Sequence, residues 1–139
     1  MRQWYKLTTL VHNTNAAGIV VTNFLPVRTM KAMQLTPGGN RILTVPNAGG
    51  SSEVSEVLSF ELLSRCFNAK LTRTEMEVSY FPHGGSITDY VCQMCHVTVG
   101  VSVTRAMKFY GEYTLDDALR LLNKKLKGGW GGIARERER

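Results

Sequence analysis

Asp89 stands out because its residue type conflicts with the pattern around it. It lies early in Ser86–Met94, an apolar stretch with the composition of a β-strand that follows the turn Pro82–Gly85. Aspartate has a low strand propensity, and a carboxylate among isoleucine, tyrosine and valine must be solvated, paired or functional. Asp89 therefore either belongs to a functional site or braces the turn at residues 83–86.

Glu61 presents a similar conflict in a segment with helical periodicity. At about 100° per residue it falls between Val54 and Val57, inside the apolar stripe of the helix, and Arg65 follows one turn later. A carboxylate at that position either forms an ion pair with Arg65 along the helix or reaches a site. The sequence leaves both alternatives open.

The elements that must position these two acids follow one another after residue 50. Cap residues and hydrophobic periodicity predict two helices, and alternating apolar runs between them predict three strands. The predicted elements are a helix from Ser51 or Ser52, strands at Lys70–Phe81, Ser86–Met94 and Val97–Met107, and a helix from Thr114 to Gly128. Short links between the strands predict an antiparallel meander with both helices packed on it, which is an α+β fold.

The third predicted strand has the clearest alternation in the chain. Four valines, from Val97 to Val103, alternate with small residues, from Thr98 to Thr104. This period of two predicts that the valine face packs on the core. The small residues on the opposite face leave room for another molecule to approach.

Residues 1–50 are predicted to be an N-terminal β region of the same domain. A turn at residues 36–40 between short apolar runs indicates a second hairpin after the first strand pair. The predicted strands are Trp4–Val11, Gly18–Val27 and Ile42–Val45. A loop at residues 46–52 separates this region from the core, residues 51–133, and residues 134–139 form a charged tail.

The order helix–strand–strand–strand–helix, with Glu61 in the first helix and Asp89 in the second strand, resembles the core of the PD-(D/E)XK, or restriction-endonuclease-like, nuclease superfamily. The resemblance covers roughly residues 51–127. It implies that Glu61 and Asp89 bind Mg²⁺, which prefers oxygen ligands and activates water for phosphodiester cleavage. The resemblance also makes Arg105 a candidate catalytic residue that stabilises charge, and Glu77 another candidate ligand.

The chain departs from that family in the third strand. The family places an acid, one spacer and a lysine there, whereas Val101–Arg105 contains neither an acid nor a lysine. A guanidinium remains protonated and is a poor proton-transfer group. The departure leaves a second hypothesis open, a non-catalytic nucleic-acid-binding or assembly module, and a third, a structural subunit that binds no nucleic acid.

The formal net charge of +6 is concentrated near the start of the chain. Residues 1–52 contain no acid, and their five cations are Arg2, Lys6, Arg28, Lys31 and Arg41. A basic surface suits DNA or RNA, and neighbouring aromatic residues such as Trp4 would suit base stacking. We expect these cations to bind nucleic acid; the alternatives are an ordinary solvated surface or an organelle transit segment, which is also typically acid-poor.

Cys92 and Cys95, followed by His96, have the spacing of a haem-attachment motif and of half a zinc site. In a regular strand the side chains of Cys92 and Cys95 point to opposite faces. We therefore expect reduced thiols, no haem and no zinc.

The chain contains no apolar run of bilayer-spanning length, and its start lacks the apolar region of a secretory signal. We expect an intracellular protein without a membrane partner, cytoplasmic or nuclear, or mitochondrial if the basic start is a transit segment. A protein partner is compatible with the assembly hypothesis.

Overall fold

The computed structural model describes residues 2–23, 25, 27, 29–46, 52–78 and 88–129. In that part of the chain, four α-helices and a three-stranded antiparallel sheet form an α+β fold, which confirms the predicted fold class. The helices are α1 (Arg2–His12), α2 (Pro37–Thr44), α3 (Glu53–Phe67) and α4 (Leu115–Gly129). The strands are β1 (Lys70–Thr74), β2 (Tyr90–Met94) and β3 (Val97–Val101).

The sheet is the predicted meander, in the order β1-β2-β3. Tyr90 pairs with Val101 and Met94 with Val97, so β2 and β3 form a regular hairpin. The buried face of β2 consists of Tyr90, Cys92 and Met94. The valines of β3 pack on the same core while the residues between them are exposed, which confirms the predicted alternation.

All three strands are shorter than predicted. The strand predicted at Lys70–Phe81 ends at Thr74, because residues 75–77 form a 3₁₀ turn in which the Glu77 carboxylate accepts a hydrogen bond from the Thr74 amide at 2.8 Å. The second strand begins at Tyr90 and the third ends at Val101. The predicted turn at Pro82–Gly85 lies outside the described residues.

The predicted N-terminal β region is wrong where the structure describes it. Trp4–Val11 lies within α1, and the described residues of 18–27 contain no strand. Leu7 and Val11 pack against the core from one face of α1, and the Trp4 ring lies 4.2 Å from the Phe67 ring, centroid to centroid. This spacing of apolar residues at i, i+3 and i+7 is helical, and these contacts favour a helix over the strand propensity of the segment.

The predicted hairpin around residues 36–45 is also a helix. Thr36 caps α2 by accepting a hydrogen bond from the Gly39 amide at 3.2 Å, and Pro37 occupies the first turn, where proline is well tolerated. Gly38 and Gly39 let α2 pack closely against α3 and do not form the predicted turn. A Cβ atom at Gly38 would clash with the Phe60 ring, and one at Gly39 would clash with the Glu61 carboxylate.

Helix α3 lies against β2 and α2, but only part of its predicted apolar surface is buried. Val54 and Leu58, expected in its buried stripe, are exposed. Its buried residues are Glu56, Val57, Phe60 and Glu61, and the Phe60 and Tyr90 rings pack edge to face with their centroids 5.6 Å apart. The side of α3 that faces the core therefore carries two carboxylates.

Helix α4 starts as predicted but does not pack as predicted. The Thr114 hydroxyl accepts a hydrogen bond from the Asp117 amide while the Asp117 carboxylate accepts one from the Thr114 amide, at 3.3 and 2.9 Å, so the acidic capping box is confirmed. No residue of α4 belongs to the hydrophobic core or its apolar neighbours among the described residues. None of the helices in the described part of the chain has the length and apolar character needed to cross a membrane.

Candidate acidic site

Glu61 is held by protein groups on both of its carboxylate oxygens. Its Oε1 accepts hydrogen bonds from the amide and the hydroxyl of Thr36, each at 2.7 Å. Its Oε2 accepts one from Arg65 Nε at 2.8 Å. Burial by itself raises the pKa of Glu61, but the hydrogen bonds from Thr36 and Arg65 outweigh it and hold that pKa below its usual value. Glu61 therefore ties α3 to the start of α2.

Asp89 lies directly before β2 and is partly buried. Its Oδ2 accepts a short hydrogen bond from the amide of Val103, which follows β3, and its own amide donates to the Val101 carbonyl at 3.0 Å. Asp89 thus anchors the segment that leaves β3. The Asp89 carboxylate is held by Val103, whereas the Glu61 carboxylate is held by Thr36 and Arg65, so these two acids share none of these partners.

Glu56 is the acid that the structure associates with Asp89. Glu56 is only 4% exposed to solvent. Burial raises the pKa of Glu56, a hydrogen bond with the Ser52 side chain lowers it, and the negative charges of Asp89, Glu75 and Glu53, in that order, raise it further. Two carboxylates that repel one another in a partly desolvated environment are typical of functional sites.

Glu56 lies in the first turn of α3, where acids commonly suit the helix dipole, and the sequence therefore does not single it out as a site residue. The missed signal is its spacing on α3. Glu56 precedes the buried Val57 by one residue and the buried Phe60 by four, which places all three on one side of a helix.

An open concavity of about 330 Å³ adjoins this acidic pair. Ser52, the partner of Glu56, and Val103, the partner of Asp89, are both in its wall. The remaining residues of the wall are Ser55, Thr104, Arg105, Met107 and Phe109. Hydroxyl groups, a guanidinium and an aromatic ring thus surround an opening beside two carboxylates.

The segment after β3 exposes two adjacent aromatic rings. Phe109, in the wall of the concavity, is 92% exposed, and the neighbouring Tyr110 is 90% exposed. Arg105 is also exposed and lies in the same wall. An exposed ring next to a guanidinium offers the two kinds of contact, stacking and charge, that a nucleotide uses.

The N-terminal cations that the structure describes have different environments. Lys6 on α1 and Lys31 in the 3₁₀ turn Met30–Ala32 are exposed. Arg41 on α2 forms an ion pair with Glu77, with Nη2 and Oε1 2.5 Å apart. The side chain of Arg2 and the whole of Arg28 lie outside the described residues. Glu77, the other candidate ligand, is therefore engaged by Arg41.

The cysteines occupy different environments. Burial raises the pKa of the Cys92 thiol to about 11. Cys95 lies in the turn between β2 and β3, and its Sγ is 3.9 Å from the Thr8 hydroxyl of α1. All three cysteines carry free thiols. Within the described residues, no group of three or more His, Cys, Asp or Glu side chains is arranged to hold a metal ion.

Comparison with known proteins gives little further information on the site. No family model matches the chain, and no solved structure matches it. A Dictyostelium discoideum protein described as AAC-rich mRNA clone AAC4 protein is 44% identical over 119 residues, which cover 79% of this chain and 17% of the relative. The chain thus spans about one sixth of the length of the curated relative it matches.

Proposed function

We propose that this chain is a nucleic-acid-handling module that hydrolyses phosphodiesters in a divalent-metal-dependent reaction at the concavity beside Glu56 and Asp89. The observation that carries the proposal is the burial of Glu56 on α3 within the electrostatic influence of Asp89. A carboxylate whose pKa is raised by burial and by a neighbouring acid is costly for folding when it is charged. Such a cost is common where a site needs the charge.

The two acids fit Mg²⁺ by the chemistry of their donor atoms. Mg²⁺ takes one or two carboxylates together with waters and substrate phosphate oxygens. Glu56 and Asp89 supply two carboxylates, whereas the oxygens of Glu61 are occupied by Thr36 and Arg65. The ion, when bound, would supply charge neutralisation and a water of lowered pKa.

The other residues of the wall suit the binding of a phosphodiester. In the hydrolysis, a water oxygen bonds to phosphorus, and the sugar oxygen that leaves takes up a proton. Arg105 lies in the wall, where its guanidinium can stabilise charge on the phosphate oxygens. Phe109 and Tyr110 are exposed, and in this proposal their rings stack on bases flanking the phosphate.

A cleavage and binding assay tests the proposal. Labelled single- and double-stranded DNA and RNA are titrated with the protein at low to moderate salt, with and without Mg²⁺. We expect Mg²⁺-dependent cleavage that Glu56→Gln and Asp89→Asn each reduce by about tenfold or more, because ligand loss weakens metal binding. Binding without Mg²⁺ should persist or tighten in both variants, since each removes a negative charge near the phosphate.

Glu112→Gln is the control, because Glu112 is an exposed acid outside the wall of the concavity and its charge is not among those that act on Glu56. Its cleavage rate should equal that of the wild type. Cleavage should also rise with pH as Glu56 loses its proton, since metal ligation requires the carboxylate. Cleavage that survives both substitutions in the acidic pair would exclude this site.

A specific observation favours a second candidate, a non-catalytic nucleic-acid-binding module. The wall segment after β3 supplies Thr104 and Arg105 but no carboxylate and no lysine to the concavity. In that case the same assay gives salt-dependent binding without cleavage, and Phe109→Ala weakens binding of single strands about five- to a hundredfold, the usual cost of losing one stacked base.

A further inference from the structure

Helix α4 carries a row of leucines that the rest of the described structure leaves uncovered. Leu115, Leu119, Leu122 and Leu126 are between 49% and 75% exposed. The side of α4 that is partly buried is a different one, and it includes Ala118, Leu121 and Lys125. Four leucines along one face of a 15-residue helix form a strongly amphipathic surface.

The spacing of these leucines indicates what covers them. Successive leucines are separated by four, three and four residues, which is the a/d spacing of a coiled coil. This series reads the same from either end of the helix. Two copies in antiparallel orientation therefore bring Leu119 opposite Leu122 and Leu115 opposite Leu126, in a self-complementary contact about a two-fold axis.

The charges on the free flank of this row favour the same orientation. Asp116 lies in the first turn of α4 and Lys127 in the last, and both are exposed. They are 11 residues apart, about three helical turns, so they lie on the same side. An antiparallel partner brings the same flank of both helices together and places its Lys127 near Asp116, whereas a parallel partner would place opposite flanks together and leave Asp116 and Lys127 without this pairing. The helix dipoles also favour the antiparallel arrangement.

We propose that the leucine face of α4 binds a second copy of this chain, as an antiparallel helix pair about a two-fold axis. The contact surface is one helix face per copy, which is small for a stable dimer. The association is therefore reversible and depends on protein concentration. The leucines of this surface are not in the wall of the concavity beside the acidic pair.

Sedimentation velocity over a concentration series, with folding monitored by circular dichroism, tests the inference. We expect a monomer–dimer equilibrium in the wild type. Leu119→Lys should weaken it by about tenfold or more, because it places a charge in the apolar contact. Lys124→Glu, on the outer side of α4, is the control and should leave the equilibrium unchanged.

A charge exchange identifies the partner and its orientation. Asp116→Lys and Lys127→Asp should each weaken the dimer about two- to fivefold, the usual range for an exposed ion pair. The double variant restores the opposite charges between copies and should recover the wild-type affinity. A monomer at every concentration, or a dimer that Leu119→Lys leaves intact, would overturn the proposal, as would a double variant weaker than either single one.

Discussion

At the scale of single residues, Glu56 combines a position in the core with an ionisable group. Burial raises its pKa, and the charge of Asp89 adds to the increase. The folded state therefore holds the Glu56 proton more tightly than the unfolded state does. The contribution of Glu56 to the free energy of unfolding is present at low pH and is lost as the pH rises through its folded pKa.

Glu56→Gln should consequently stabilise the protein at pH 7. The amide keeps the size of the side chain and removes the buried charge, so we expect a gain of about 0.5 to 2 kcal/mol in the free energy of unfolding, the usual range for a single stabilising substitution. The gain should disappear below about pH 4.5, where the carboxyl is protonated in both states.

Urea unfolding at pH 7 and pH 4 measures both parts of this prediction. Glu112→Gln, which removes the charge of an exposed acid that does not act on Glu56, should change the free energy of unfolding little at either pH. A Glu56→Gln protein less stable than the wild type at pH 7 would show that the carboxylate is a structural hydrogen-bonding group rather than a conflict within the core.

At the scale of elements, the turn between β2 and β3 is tight and has an unusual composition. Cys95 and His96 have φ angles of 53° and 64°, and Met94 pairs with Val97 across them. A two-residue hairpin turn with both central residues in the left-handed region usually contains asparagine and glycine. Here two residues with side chains adopt that conformation at a cost.

His96→Gly should therefore stabilise the protein by about 1 kcal/mol, because glycine adopts a positive φ without strain. Thermal unfolding measures the difference. Thr98→Gly is the matched control, since Thr98 is exposed in the adjoining strand, where glycine should cost up to about 1 kcal/mol. Equal destabilisation by both substitutions would show that the His96 side chain makes a contact worth more than the backbone strain.

Elements after residue 50 could be predicted because their patterns and their packing agree. The valines of β3 alternate and are packed on one face, and the capping box at Thr114 uses only neighbouring residues. The bounds of β1 could not be predicted in this way. Its end depends on the Glu77 side chain turning back to the Thr74 amide, which composition does not reveal.

The N-terminal helices could not be predicted because distant contacts decide them. In α1, Leu7 and Val11 pack against the core, and the Trp4 ring lies against the Phe67 ring of α3. In α2, the glycines suggested a turn, but they permit packing against Phe60 and Glu61. Of the acidic pair, only Asp89 was selected from the sequence, because an aspartate is unusual in a predicted strand. Glu56 was not selected, because acids are common in the first turn of a helix.

At the scale of the whole molecule, Glu61 joins residues 1–46 to the core that follows. The pKa of Glu61 is lowered because the hydrogen bonds from Thr36 and Arg65 outweigh the effect of burial. A lowered folded pKa means that this group contributes stability above its unfolded pKa of about 4.5 and loses that contribution as the pH falls further.

Glu61→Ala should lower the free energy of unfolding at pH 7 by about 3 kcal/mol, because it leaves the Thr36 hydroxyl and amide without their buried acceptor. The variant should also lose less stability than the wild type between pH 5 and pH 3, which denaturant titrations at each pH would measure. Arg41→Ala is the comparison, because it breaks the exposed pair with Glu77 and should cost less than about 1 kcal/mol. If Glu61→Ala and Arg41→Ala lowered the free energy of unfolding by similar amounts, Glu61 would not be the buried link between α2 and α3.

The hydrogen bond from the Thr36 amide to Glu61 has a consequence for local opening of the protein. An amide hydrogen that precedes a helix normally exchanges with solvent whenever the end of that helix frays. The Thr36 amide instead donates a hydrogen bond to Glu61 Oε1 of α3, with a nitrogen–oxygen distance of 2.7 Å. Its hydrogen therefore exchanges only when α2 separates from α3. Its exchange rate reports whether the first third of the chain opens alone or only together with the sheet.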